Sequence, residues 1–214
     1  MIHSIIFDIG GVLIDLDLPR CRKEFIERLE FNGIDELLDA CHQKGFYSDM
    51  EEGKISEYEF RVKVLASSKK GAVPEDVDAS MLAMLDGIEK KKVSFLKELY
   101  AKGYELYLLS NNNPISMRAC ISIMEEAGIE IEKIFKDKFI SYEMKMLKPS
   151  PAIYEETLRR IGRPASEIMF IDDSMANIEA ASSLGFKAFY YKPGTSLENL
   201  VNNALAKETE ESDG

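Results

Sequence analysis

Residues 4–15 read Ser4-Ile5-Ile6-Phe7-Asp8-Ile9-Gly10-Gly11-Val12-Leu13-Ile14-Asp15, and this stretch decides the fold. The run from Ser4 to Phe7 has the length and the β-branched, aromatic content of a buried strand. A carboxylate, Asp8, arrives where that strand must end, and Gly10-Gly11 then permits a tight backbone path. The same pattern returns further along. Residues 104–109 read as a strand followed by Ser110-Asn111-Asn112-Asn113, and residues 138–142 as a short strand. Residues 168–171 form a third such run, followed by Asp172-Asp173-Ser174, and residues 187–190 form the last. Helical spacing falls between them. Residues 88–102 are closed by Gly103, residues 114–127 have Asn113 as N-cap and Pro114 at the first position, residues 151–161 follow Ser150, and residues 174–184 are closed by Gly185. Strands alternating with helices of this length require crossover connections. The expected class is therefore α/β, a doubly wound parallel sheet of Rossmann-like form.

Between the first strand and this alternation the text changes. From residue 18 to residue 86 apolar residues recur at helical spacing, as in Phe25-Leu29, Leu37-Leu38, Phe60-Val64-Leu65 and Met81-Leu82-Leu85, and no strand signal appears. Gly33, Gly45, Gly53 and Gly71-Ala72-Val73-Pro74 punctuate it. This stretch is expected to be an inserted all-helical domain of about four helices. The α/β core then comprises residues 1–17 and 87–206. Residues 207–214, acidic and without an apolar side chain, are expected to lack fixed structure.

The composition narrows the chemistry. With 27 Lys+Arg against 38 Asp+Glu in 214 residues, the net charge of −11 disfavours nucleic acid as the main partner. It leaves room for a small anionic substrate held at a locally positive site. No apolar run approaches the roughly 18 residues that span a bilayer, and no basic segment followed by an apolar core opens the sequence. The expectation is a cytoplasmic protein with no membrane partner, monomeric or weakly dimeric. Cys21, Cys41 and Cys120 are odd in number and widely spaced, which argues against a disulfide framework. With only His3 and His42, a multi-His zinc site is excluded, and neither a G-x-S-x-G elbow nor a P-loop is present. Carboxylates remain in quantity, and they favour hard cations.

In a doubly wound sheet, ligands bind beyond the carboxyl ends of the strands. Asp8, Ser110-Asn111 and Asp172-Asp173 all fall there, with Lys148 in the loop before the helix that starts at Pro151. Any one of these could be a helix cap or a loop residue. Together they bring three acids, a Ser-Asn pair and a lysine to one rim. Three close carboxylates repel unless a cation joins them, and an all-oxygen set suggests Mg²⁺.

The ordered segments Phe7-Asp8-Ile9-Gly10-Gly11-Val12-Leu13-Ile14-Asp15, Leu108-Leu109-Ser110-Asn111-Asn112-Asn113, Leu147-Lys148-Pro149 and Phe170-Ile171-Asp172-Asp173-Ser174-Met175-Ala176-Asn177-Ile178 resemble the four motifs of the haloacid dehalogenase-like (HAD) hydrolase superfamily, subfamily I with a helical cap. Within it, Asp15-Leu16-Asp17, Glu52-Gly53-Lys54-Ile55-Ser56 and the Asp-Asp form of the fourth motif are most similar to the bacterial α-D-glucose-1-phosphate phosphatase branch. The resemblance implies Mg²⁺-dependent hydrolysis of a small phosphomonoester such as a hexose-1-phosphate. Asp8 would be the nucleophile and would form an aspartyl-phosphate. The Gly10 carbonyl and Asp173 would bind Mg²⁺, with Asp172 binding or supporting the ion and Asn177 behind them. The Ser110 hydroxyl and the Asn111 N–H would hold phosphoryl oxygens, and Lys148 would neutralise charge between nucleophile and phosphate. In the cap, Arg20, Tyr47, Glu52 and Lys54 are the candidates for substrate contact. Gly87 and residues 15–18 are candidate hinges of a lid.

One position departs from the superfamily pattern. The usual acid–base aspartate, two residues after the nucleophile, is Gly10 here. A missing general acid typically costs about 10²–10⁴-fold in rate. An idle phosphate-binding protein, a 2-haloacid dehalogenase, and a phosphatase whose leaving group needs less protonation all remain open. A sugar phosphomutase of the same fold would need the missing acid. Asp15 or Asp17 could stand in for it.

Overall fold

The computed structural model describes residues 1–37 and 45–212. Leu38, Cys41 and His42 of the sequence reading, and the last two residues of the tail, lie outside them.

Five parallel strands form the sheet: β1 (Ser4–Phe7), β2 (Glu105–Ser110), β3 (Phe135–Ile140), β4 (Ile168–Asp172) and β5 (Lys187–Tyr190), in the order β3-β2-β1-β4-β5. β1 lies at the centre, with Ser4 in register with Glu105 on one side and Ile168 on the other. A central parallel strand is covered on both faces, which is why β1 is apolar without alternation. Its side chains still alternate in direction. Ile5 and Phe7 pack with Leu106, Leu108, Met169 and Ile171 on one face, whereas Ile6 packs with Tyr107, Leu109, Ile168 and Phe170 on the other.

The first face is covered by α6 (Lys90–Ala101), α7 (Pro114–Glu126) and the C-terminal α12 (Leu197–Ser212), through Leu96, Met124 and Val201 among others. The second face carries α10 (Pro151–Ile161) and α11 (Met175–Ser183), through Ile153, Tyr154 and Ala181. Two short helices, α8 (Ile131–Ile134) and α9 (Ser141–Met144), flank β3. The strand therefore begins earlier than the sequence suggests and ends two residues sooner, because Ser141 already turns into a helix that closes on Lys145 in the left-handed region. The segment after β5 is also more ordered than expected. α12 continues to Ser212, so the acidic stretch prolongs a helix whose apolar side (Leu197, Val201, Ala204) is already buried. Ion pairing of Glu208 with Lys187 ties that helix to β5.

Between β1 and α6 lie α1 (Leu18–Leu29), α2 (Ile34–Leu37), α3 (Phe46–Glu51), α4 (Glu57–Ala66) and α5 (Pro74–Leu82). They enclose an apolar cluster of their own, with Cys21, Phe25, Phe60, Val64 and Met81 fully buried and Ile115 of α7 contributed from below. The two segments leading into and out of these helices pair with each other. The Asp15 N–H donates to Gly87 O, the Asp86 N–H to Asp15 O and the Asp17 N–H to Met84 O, with Leu16 opposite Leu85 in an antiparallel bridge.

Candidate active site

β1, β2 and β4 end side by side, so their C-terminal residues share one crevice. Asp8 follows β1 directly, Ser110 closes β2 and Asp172 closes β4. Lys148 enters from the loop before α10 and is 1% exposed. Its ammonium group lies 2.6 Å from Asp172 Oδ2, 3.1 Å from Asp8 Oδ2 and 2.9 Å from Leu109 O. Each of the three ammonium protons thus has an acceptor. Burial works against the lysine's charge, but Asp172 and Asp8 outweigh it and hold its pKa above the ordinary value. The lysine is fixed from behind by Asn111, whose side chain accepts from the Lys148 N–H at 2.8 Å and donates to Lys148 O at 2.9 Å.

Asp172 is fully buried, with both oxygens engaged. Oδ2 receives Lys148, and Oδ1 accepts from the Ser174 N–H at 2.8 Å and from Asn177 Nδ2 at 2.9 Å. Asp8 is 9% exposed, accepts the Ile9 N–H through Oδ1 at 2.7 Å, and is bonded by the Ser110 hydroxyl. Its carboxyl is held above the usual range, first by burial and then by Asp172 and Asp173, with Lys148 opposing. Asp173 is shifted the same way by burial and by Asp172. Among the described residues, Asp8, Asp172 and Asp173 each offer an oxygen within 4.8 Å of the others. Gly11 makes this possible. At φ +76° it occupies the left-handed region, and a Cβ there would overlap the Asp173 carboxylate.

This donor set fits Mg²⁺, which takes oxygen ligands and one or two carboxylates. Asp8 and Asp173 have oxygens to spare for an ion. Asp172 accepts three hydrogen bonds from its neighbours, which fix it in place beside them. Gly10 lines the same cavity as Asp8 and Asp173.

Above the cluster, a cavity of about 310 Å³ opens between sheet and cap, lined by Asp8, Gly10, Ser110, Asn111 and Asp173 from below and by Tyr47, Ser48 and Glu51 from above. Of the four cap candidates, only Tyr47 reaches it. Arg20 instead donates to Ala83 O, Leu85 O and Asp86 and fastens the two connecting segments. Glu52 and Lys54 pair with each other at 2.6 Å on the outside. Sequence reasoning missed Glu51, one residue before Glu52 and about 100° around the helix from it. Tyr47 and Glu51 stand four apart on α3, and this spacing was the signal available. Asp15 and Asp17 are also occupied elsewhere. Asp15 pairs with Lys92 at 2.7 Å, and Asp17 caps α1 by accepting the Arg20 N–H.

A cavity at the carboxyl ends of parallel strands, floored by a lysine-clamped aspartate beside two more acids and roofed by a helical insert, defines a hydrolase of the HAD type. The chain belongs to that family: the haloacid dehalogenase-like hydrolase model matches residues 2–185. It is 32% identical over 195 residues to a D-ribitol-5-phosphate phosphatase of Bacteroides thetaiotaomicron, covering 91% of this chain and 94% of that protein. A HAD family enzyme of the same organism, solved with magnesium and inorganic phosphate, superposes with a TM-score of 0.86 at 32% identity, covering 94% of this chain and 99% of the other. A HAD-like hydrolase of Porphyromonas gingivalis gives a TM-score of 0.87 at 30% identity, covering 96% and 98%.

Proposed function

We propose that this protein is a Mg²⁺-dependent phosphatase that cleaves a small phosphomonoester of a sugar or sugar alcohol through an aspartyl-phosphate on Asp8. The observation that carries the reading is the Lys148 ammonium, buried between Asp8 at 3.1 Å and Asp172 at 2.6 Å on the cavity floor. A phosphate dianion entering beside three carboxylates is repelled, and one fixed cation cannot offset them all. Asp8, Asp173 and the Gly10 carbonyl would hold Mg²⁺, which supplies the missing positive charge and polarises a phosphoryl oxygen when bound. The other roles belong to the protein's own groups. Asp8 attacks phosphorus. The Ser110 hydroxyl and the Asn111 N–H would hold phosphoryl oxygens. Lys148 keeps the Asp8 oxygen oriented and offsets charge in the pentavalent transition state. Water then hydrolyses the acyl phosphate.

The cavity volume of about 310 Å³ is at the small end for ligand sites and suits a short polyol rather than a nucleotide. The relative named for D-ribitol-5-phosphate supports the same size class. A hexose-1-phosphate remains within it, and its anomeric leaving group is more acidic than a primary alcohol. Three acids with a metal-binding arrangement speak against halide displacement, which needs no metal.

The test is phosphate release from a panel of pentitol, aldose and hexose-1-phosphates, with Mg²⁺, with EDTA, and for Asp8→Asn. Turnover is expected with Mg²⁺ and is expected to vanish in EDTA and in Asp8→Asn. Activity that survives chelation overturns the metal-dependent reading. Halide release from a 2-haloacid would restore the dehalogenase, and inorganic phosphate binding without any turnover would indicate an idle protein.

A further inference from the structure

With glycine at position 10, the site lacks an obvious proton donor for the leaving group. The groups that line the cavity and can carry a proton are few among the described residues: Asp8, Asp173, Tyr47, Glu51 and Cys120. Asp8 is the nucleophile and Asp173 belongs to the cation set. Cys120 is buried at the cavity wall, and that burial pushes its thiol up to about 11. Burial, followed by the nearby negative charge of Glu51, raises the Tyr47 hydroxyl well above its ordinary value. Tyr47 bonds to Glu51.

Glu51 is unlike the others because its position is set by the catalytic layer and not only by the cap. Its backbone carbonyl accepts the Ser141 hydroxyl at 2.6 Å, and that same hydroxyl oxygen accepts the Asn112 N–H at 3.0 Å. Asn112 directly follows Ser110-Asn111 at the end of β2. Two residues after Glu51, Gly53 O accepts from Lys145 Nζ at 2.7 Å. The C-terminal end of α3 is thereby strapped to the loop that would hold the phosphate. Glu51 lines the cavity from the cap while Asp8 lies on its floor, and an in-line displacement sends the ester oxygen away from the nucleophile, toward the cap.

We infer that Glu51 is the acid–base residue of this enzyme, delivered from the cap to the leaving-group oxygen in place of the aspartate that Gly10 replaces. The inference rests on the phosphatase reading above. In the first step the Asp8 Oδ–P bond forms as the P–O ester bond breaks, and the Glu51 proton passes to the departing alkoxide. In the second step the Glu51 carboxylate takes a proton from the water that attacks phosphorus. The acid is regenerated, and Asp8 and inorganic phosphate are released. Burial, with Asp8 nearby and Tyr47 opposing, places Glu51 at about 7, so both forms are available near neutral pH. A lid-borne acid also couples chemistry to closure, since the proton arrives only when α3 is docked.

The decisive comparison is between leaving groups. p-Nitrophenyl phosphate expels a stable phenolate and needs no proton, whereas a pentitol phosphate expels an alkoxide. Glu51→Gln, which retains a partner for Tyr47, is expected to lower kcat/KM, which reports the first step, by about 10²–10⁴-fold on the pentitol phosphate and by less than about tenfold on p-nitrophenyl phosphate, while the shared second step slows on both. Glu51→Asp should recover part of the loss on the pentitol ester. An equal loss of kcat/KM on both esters would reduce Glu51 to a binding or structural residue and overturn the inference, as would an unchanged kcat/KM on the pentitol ester. Wild-type turnover of p-nitrophenyl phosphate, dependent on Mg²⁺ and on Asp8, keeps the phosphatase reading standing in either case.

Discussion

The close approach of Asp173 to Gly11 can be tested by placing a methyl group there. Two glycines have similar left-handed backbones but different surroundings. Gly11 (φ +76°) has the Asp173 carboxylate where its Cβ would lie, whereas Gly103 (φ +87°), after α6, has nothing within 4 Å. Alanine at either position incurs the strain of a left-handed residue, about 1–2 kcal/mol. For a protein of this size that corresponds to a fall in Tm of about 2–8 °C. Gly103→Ala should show this loss alone, with unchanged kinetics. In Gly11→Ala the overlap involves the carboxyl carbon as well as its oxygen, so Asp173 must leave its rotamer and withdraw from the cation set. Moving one ligand is expected to raise the Mg²⁺ concentration for half-maximal activity by at least the ~10–100-fold seen when a ligand's support is removed. The assay is a Mg²⁺ titration of phosphate release beside a thermal melt of all three proteins. A Gly11→Ala enzyme with the wild-type titration would refute the placement of Asp173 and the ligand set built on it. So would a Gly103→Ala enzyme that loses Mg²⁺ affinity to the same extent.

Asp173→Asn removes the ligand charge directly and should lose activity chiefly through Mg²⁺ affinity, with rescue at millimolar Mg²⁺; an unmoved titration curve would contradict the assignment. Away from the site, Arg163 at 2.9 Å and Lys136 at 2.6 Å hold the Glu105 carboxyl down at about 2 against its partial burial. A depressed carboxylate stabilises the fold above its unfolded value of about 4.3, and that contribution is lost as pH falls toward 2. Glu105 is partly exposed, so the discounted effect is about 1 kcal/mol. The Tm gap between wild type and Glu105→Gln should therefore narrow as pH drops from about 5 to about 2, and a gap constant over that range would show that the pair contributes nothing.

Much of the core was legible because a buried parallel strand has little choice of composition. Ile5-Ile6-Phe7 and Met169-Phe170-Ile171 are apolar throughout, and the polar residues that follow each run mark the rim where ligands bind. Asp8, Ser110, Asp172 and Lys148 come together as that logic requires. What eluded the sequence was set by tertiary contact. β3 sets the charged run Lys136-Asp137-Lys138 between Phe135 and Phe139 and gives no clear period, so its start was misplaced. α12 is held by Leu197, Val201 and Ala204, spaced across an otherwise polar segment. In the cap, the charged residues that stood out (Arg20, Glu52 and Lys54) satisfy one another or the backbone. The carboxylate that lines the cavity is marked in the sequence by no more than its four-residue spacing from Tyr47, and is placed there by the docking of its helix on Ser141.

Leu16 lies beside Gly10, with its Cδ1 3.2 Å from where a Cβ would sit, and Leu16 also belongs to the paired segments that lead into the cap. An aspartate introduced at position 10 would press the Leu16 side chain aside by a few tenths of an ångström. Any acid grafted at position 10 therefore meets the side chain of position 16 on the segment that leads into the cap, so a change at the catalytic floor is felt at the hinge.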